Sequence, residues 1–209
     1  MKRLPGDTSV RDFLKAISSA EEAHGAVSAA ALAGGLATSL LLMVAALPKT
    51  RSDSVDDRTK LTDASTGLSD LKEQLMETIE TETAVRIFVA RNMPQASVRE
   101  RSERQAAIQI ALRAAADVPL EVMRLCVRGL KYAETIAAHS SRAASADAKL
   151  AVALLSAAFS GARSNLEGKI SSLTDTQYIT CVAEEMARLS EEATIAAHSA
   201  EELLRVPPA

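Results

Sequence analysis

Between Ala26 and Leu47 the chain carries no charge and no proline. Such a run admits two readings. It is either a helix that crosses a membrane, which takes about 20 apolar residues, or a helix enclosed by other helices. Residues 26–39 are mostly Ala, Gly and Ser. These residues contribute little to membrane insertion but let neighbouring backbones approach closely. Residues 40–47 are bulkier and suit a core. Asp7, Arg11, Asp12, Lys15, Glu21 and Glu22 precede the run, so no single basic region leads into it as in a secretory signal. The other segments read as amphipathic helices, which need a common apolar partner. The expected fold is therefore all-α: a bundle of long antiparallel helices around a buried Ala/Gly-rich central helix. One domain is expected over residues 1–209, with no membrane association.

Composition agrees with packed helices. Apolar residues make up 47% of the 209, ample for a core, while aromatics are only 2% and Trp is absent. Alanine is abundant and β-branched residues are dispersed, which favours helix over sheet. The net charge of −3 comes from interleaved acids and bases. With no basic tract and few rings to stack on bases, nucleic-acid binding is not expected. Cys126 and Cys181 are too few and too far apart for a disulfide framework or a zinc knuckle, and fit reduced thiols in the cytoplasm.

In chain order, Asp7-Thr8-Ser9 offers N-caps for a first helix over about residues 8–20, with Val10, Phe13, Leu14 and Ile17 at helical spacing. Residues 19–27 read as a loop containing His24 and Gly25. Pro48 stops the central helix, and Lys49 and Arg51 suit the negative end of its dipole. A long helix follows over about Val55–Asn92, its buried stripe marked by Leu61, Leu68, Leu71, Leu75, Ile79 and Ile87. Gly67 weakens it locally. Ser97-Val98-Arg99-Glu100 is a capping box for the next helix. That helix carries Ile108, Ile110 and Leu112 towards Pro119, which is tolerated as a kink or as a restart re-capped by Asp117. The apolar face then continues to about His139. A second Ala-rich helix spans 146–170 and is apolar nearly all round. Asp175 starts a last helix that ends near Leu204. No strand pattern and no standard Gly-rich phosphate loop are present.

Several of these segments, in order, resemble the cyclodeaminase/cyclohydrolase family, which comprises the formimino-tetrahydrofolate cyclodeaminase domain and stand-alone methenyl-tetrahydrofolate cyclohydrolases. Phe13-Leu14 matches the family's Phe-Leu pair on a short first helix. His24-Gly25-Ala26-Val27-Ser28 stands where the family has a Pro-Gly-Gly-Gly-Ser loop. Ala30-Ala31-Leu32-Ala33-Gly34-Gly35-Leu36 and Met43-Val44 fit its Ala-Gly-rich helix. Val118-Pro119-Leu120 looks like its Val-Pro-Leu kink, and Ala146-Asp147-Ala148-Lys149 its Ser-Asp-Ala-Gly helix start. Ser160-Gly161 and Asn165 stand for its Arg-Gly and first Asn. The likeness covers nearly the whole chain. Departures fall on functional positions: the loop keeps only Gly25 and Ser28, a lysine-rich segment is reduced to Lys49 and Arg51, Glu80 replaces an Asp, and Lys169 replaces the second Asn.

The resemblance implies a folate-dependent one-carbon enzyme acting on a tetrahydrofolate derivative, either a methenyl-tetrahydrofolate cyclohydrolase or a formimino-tetrahydrofolate cyclodeaminase. Both reactions need a proton acceptor, a donor for a departing nitrogen and cations for an acidic tail. Asp147 is the implied acid/base group, although a carboxylate at a helix start also reads as a cap. The implied substrate-binding set is His24, Gly25, Ser28, Lys49, Arg51 and Asn165. Glu80 reads as a solvated helix charge beside Arg86. No His/Cys/acid cluster has ligand spacing, so no metal is expected. The alternative is a divergent member without folate turnover, acting on another small substrate or serving as a helical interaction protein. A homodimer is expected because the 146–170 helix is apolar over more of its surface than one neighbour covers.

Overall fold

A computed structural model describes residues 8–19, 25–47, 54–92, 101–141 and 143–205 (side chains of 90–92 and 101–104 excepted). Six helices follow in order: α1 (Val10–Ser18), α2 (Ala26–Ala46), α3 (Val55–Asn92), α4 (Arg101–His139), α5 (Ser145–Ile170) and α6 (Thr176–Arg205). Among the described residues there is no strand.

Helices α2 to α6 run alternately up and down. Gly34 of α2 packs on Leu75 of α3, while Gly25 lies beside Arg86, so α3 descends as α2 rises. Gly67 of α3 meets Tyr132 of α4, and Gln74 accepts a hydrogen bond from Arg128. Gly129 of α4 meets Leu155 of α5, and Ala115 meets Lys169. Alternation makes α4 and α6 parallel. The rungs keep an offset of 61 or 62 residues: Arg113 to Asp175 just before α6, Arg124 to Glu185 at 2.8 Å, and Lys131 to Glu192 at 2.6 Å.

The Ala-rich α2 is wedged between α3 and α5, with α4 behind it. Small residues set this closeness. A Cβ built on Gly34 would stand 3.1 Å from Leu75, and one on Gly161 of α5 would stand 3.8 Å from the Ala30 Cβ. The buried hydroxyl of Thr38 donates back to the Gly35 carbonyl at 2.9 Å, so it needs no outside partner. α2 is enclosed on one side only: Leu41, Val44 and Ala37 are fully buried, whereas Leu36 is 53% exposed and Met43 44%. The helix packed against four others is α4, whose middle carries Leu120, Val122, Met123, Leu125, Cys126 and Leu130 into the core.

Several local expectations meet the structure differently. Ala26 and Val27 are helical rather than loop, with Gly25 as the N-cap residue. In α1, Ser9 caps by accepting from the Asp12 N–H at 3.1 Å, yet only Phe13 and Ala16 are buried. Val10 and Leu14 are 70% and 60% exposed. Ile87 and Ile110 also face outward, because the stripes of α3 and α4 rotate off the core near those ends. Helix α4 passes through Pro119 without restarting. Asp117 does not re-cap the backbone; it accepts from the Tyr178 hydroxyl at 2.6 Å. Gly67 makes room for the Tyr132 ring, which a Cβ there would overlap. The Ser97–Glu100 capping box lies outside the described residues.

Candidate functional site

The start of α2, the end of α3 and the end of α5 meet at one end of the bundle. The alternating directions bring them there, and each contributes a polar group where the surrounding pattern is apolar. Ser28 falls on the buried side of α2, beside Val27 and Ala31. Glu82 continues the α3 stripe of Leu68, Leu71, Leu75 and Ile79, so its carboxylate is carried inward and is only 3% exposed. A buried carboxylate must be hydrogen-bonded or paired. Glu82 has both kinds of partner: the Ser28 hydroxyl donates to Oε2, and Arg86 one turn on places Nη1 3.8 Å from Oε1.

Gly25 roofs this pair. A Cβ there would collide with Arg86 Nη1 and come 3.6 Å from Glu82 Oε1. The backbone φ of −145° at Gly25 is open to any residue, so the glycine serves close approach rather than a special conformation.

Helix α5 closes the other side. Gly161 packs on Ala30, and α5 runs opposite to α2, so Asn165 comes about level with the α2 start and Lys169 lies one turn beyond it. Asn165 Oδ1 is buried and has no hydrogen-bond partner among the described residues. Lys169 is half-buried and donates to the Ala115 carbonyl at 2.9 Å. Burial holds its amine below the ordinary lysine range; Glu82 opposes that shift and Arg86 adds to it. The end of the bundle thus presents a carboxylate, a hydroxyl, two cations and an unsatisfied amide oxygen.

The structure sets Gly25 and Ser28 against Glu82 and Arg86, and helix register puts Asn165 and Lys169 at the same end of the bundle. It does not bring Asp147 to them. Asp147 sits in the first turn of α5, with Ala144 as the N-cap residue. Eighteen residues of helix, about 27 Å at 1.5 Å per residue, separate it from Asn165. Within one chain Asp147 therefore lies at the opposite end of the bundle. His24, Lys49 and Arg51 lie outside the described residues. Glu80 is half-buried; two residues from Glu82, it points to a different side of α3. Glu82 was legible as an acid at an apolar-stripe position, a stronger signal than the acid two residues before it.

A groove of about 550 Å³ runs between α5 and α6, lined by Ser160, Arg163, Ser164, Glu167, Thr194 and His198 among others. Arg163 is already paired with Glu167 at 2.9 Å, and the groove holds no buried acid. Among the described residues no group of three or more His, Cys, Asp or Glu is arranged to hold a metal ion.

The formiminotransferase-cyclodeaminase family matches residues 9–188. The chain belongs to this family. A methenyltetrahydrofolate cyclohydrolase from Methylorubrum extorquens is 30% identical over 165 residues, which is 77% of this chain and 77% of that protein. A formiminotetrahydrofolate cyclodeaminase from Thermotoga maritima superposes with a TM-score of 0.85 over 95% of this chain and 96% of its own, at 18% identity. The second likeness is one of fold. The formiminotransferase-cyclodeaminase match spans α1 to α5 and the first part of α6, so all the residues of the Glu82 cluster fall inside it.

Proposed function

We propose that this chain is a folate-dependent one-carbon enzyme, acting as a methenyl-tetrahydrofolate cyclohydrolase or a formimino-tetrahydrofolate cyclodeaminase, with the Glu82 cluster as its site. The observation that carries the reading is the buried Glu82 carboxylate, held by Ser28 beside an amide oxygen that lacks a donor. The higher sequence identity is to a cyclohydrolase, so hydrolysis is the reaction to test first. In it, water adds its oxygen to the amidinium carbon and gives one proton to Glu82. Collapse of the adduct forms the carbonyl, breaks one C–N bond and leaves the remaining proton on the departing nitrogen. Glu82 then releases its proton to solvent. In the cyclodeaminase reaction the folate's second nitrogen attacks the formimino carbon, its proton passes to the formimino nitrogen through the same carboxylate, and ammonia departs. Arg86 and Lys169 offset negative charge at the site, and Lys49 and Arg51 are the cations proposed for the acidic tail.

The same reading includes a homodimer in the cytoplasm. Leu36 and Met43 of α2 and Leu150 of α5 leave an apolar stripe open on one side of the bundle, which supports a second copy as its cover. Pairing α2 against the partner's α2 in antiparallel fashion would carry the partner's Asp147 towards the Ser28 end, and this is the route by which an Asp147 role is proposed. The free thiols Cys126 and Cys181 support a reducing compartment.

The test is turnover of methenyl-tetrahydrofolate and of formimino-tetrahydrofolate by the native protein and by Glu82→Gln and Asp147→Asn. Turnover lost in Glu82→Gln, with folding intact, supports the assignment. Full activity in Glu82→Gln ends it, and no binding of any folate by the native protein moves the reading to an interaction protein.

A further inference from the structure

Pro119 lies inside α4 and has no N–H. In an unbroken helix the N–H of residue 119 would bond the carbonyl of Ala115, four residues earlier. The proline leaves that carbonyl without its helical donor. Lys169 of α5 supplies one, from Nζ at 2.9 Å. A lysine side chain has three donors and a flexible stem, so a single fixed acceptor decides where its ammonium group rests. Here it rests half-buried, on the same face of α5 as the unpartnered Asn165 oxygen one turn before it. The charged groups that act on it are Glu82 and Arg86 of α3. Helix α2 carries no charge, and α4 presents the neutral carbonyl.

We propose that Pro119 and Lys169 form one device: Pro119 is a positioning residue that frees the Ala115 carbonyl, and that carbonyl anchors Lys169 as the cation that receives a ligand oxygen. Asn165 Oδ1, one turn away, receives a ligand N–H. The pair is thereby matched to a ligand edge that offers one nitrogen donor and one carbonyl or anionic oxygen. The inference rests on the Glu82 cluster being the ligand site. It concerns the anchoring of Lys169, in which the Ser28–Glu82 hydrogen bond takes no part, and it assigns a purpose to the proline in α4.

The test uses the full chain with Pro119→Ala, Lys169→Met, Lys169→Arg and the Pro119→Ala/Lys169→Met double variant. The first readout needs no ligand: the pH dependence of Lys169 acetylation by acetic anhydride, measured on its peptide by mass spectrometry. In Pro119→Ala the restored N–H takes back the Ala115 carbonyl and the amine swings to solvent. Lys169 then labels with the pH profile of an ordinary surface lysine. In the native protein labelling persists to lower pH, because more of the amine is neutral there, but access to it is slower. The second readout is the affinity for 5-formyl-tetrahydrofolate. A charge-assisted bond of about 1.5–3 kcal/mol corresponds to an affinity loss of roughly ten- to hundredfold. Both single variants are expected to show it, Lys169→Arg is expected to recover part of it, and the double variant is expected to be no worse than Lys169→Met.

An unchanged labelling profile in Pro119→Ala overturns the device. So do losses that multiply in the double variant. If the native protein binds no folate while the labelling profile moves as expected, the positioning by Pro119 stands. The failure then belongs to the folate assignment and to the ligand role of Lys169.

Discussion

Replacing Ser28 by Ala takes from the Glu82 carboxylate the hydroxyl that bonds it in the interior. Glu82 is 3% exposed, so water cannot substitute freely, and Arg86 stands 3.8 Å away. A hydrogen bond to a charged group contributes about 1.5–3 kcal/mol. Alanine returns about 0.5 kcal/mol through its better helix propensity. The net loss is then about 1–2.5 kcal/mol. For a chain of this size each kcal/mol moves Tm by about 2–4 °C, so a fall of about 2–10 °C is expected in calorimetry near neutral pH. Loss of Ser28 alone does not identify the bond, because any core change lowers Tm. The decisive protein is the double variant Ser28→Ala/Glu82→Met. Methionine at 82 removes the charge that Ser28 served, so the second deletion should cost less than it does in the native background. A coupling of about 1–2 kcal/mol is expected. Additivity within about 0.5 kcal/mol would refute the reasoning, since independent sites add to that accuracy.

Three further outcomes can be checked. Cys126 is buried, and burial pushes its thiol up to about 12, whereas Cys181 is exposed; a disulfide reagent should therefore titrate one thiol rapidly and the other only on unfolding. Leu36→Asp puts a charge in the middle of the open α2 stripe, and light scattering at micromolar concentration should show the proposed dimer for the native protein and a monomer for the variant; a native monomer would dismiss the dimer outright. The Arg124 guanidinium holds the Glu185 carboxyl below its ordinary value of 4.5. The stabilisation from that pair is thus full above pH 4.5 and lost as pH falls through the lower folded-state pKa, so the Tm gap between the native protein and Glu185→Gln should close in acid.

Element boundaries were readable because punctuation and periodicity agree. The expected Val55–Asn92 helix is α3 as observed, and Asp175 caps α6 by accepting the Tyr178 N–H at 3.0 Å. The direction of packing was harder to read. Composition identifies α2 as a close-packing helix, but an all-round apolar sequence does not say which side stays open. The pattern likewise cannot reveal that α4, with more varied composition, touches four neighbours. For the candidate site, Gly25, Ser28 and Asn165 were named from their place in a family pattern. Asp147 came from the same pattern, yet simple helix rise already separates it from Asn165 on α5. Arg86 reads as an ordinary helix charge, and Lys169 as a departure from the family's second Asn. Their relation to Glu82 appears only when three helices, far apart in sequence, are set side by side.

The one-sided enclosure of α2 also bears on how the chain is made. This helix is long and apolar enough to cross a membrane. It leaves the ribosome well before α5, which begins 119 residues after the start of α2. At about 5–20 residues per second that interval is roughly 6–24 s. Until α4 and α5 emerge, α3 is the long helix available to shield it. The α2–α3 hairpin, with Gly34 and Gly35 against Leu75 and Met76, is therefore the part of the fold that must keep a nascent apolar segment from lipid and from other chains. Ribosome-bound chains halted after α3 are the species in which failure of that shielding would be seen as membrane recruitment.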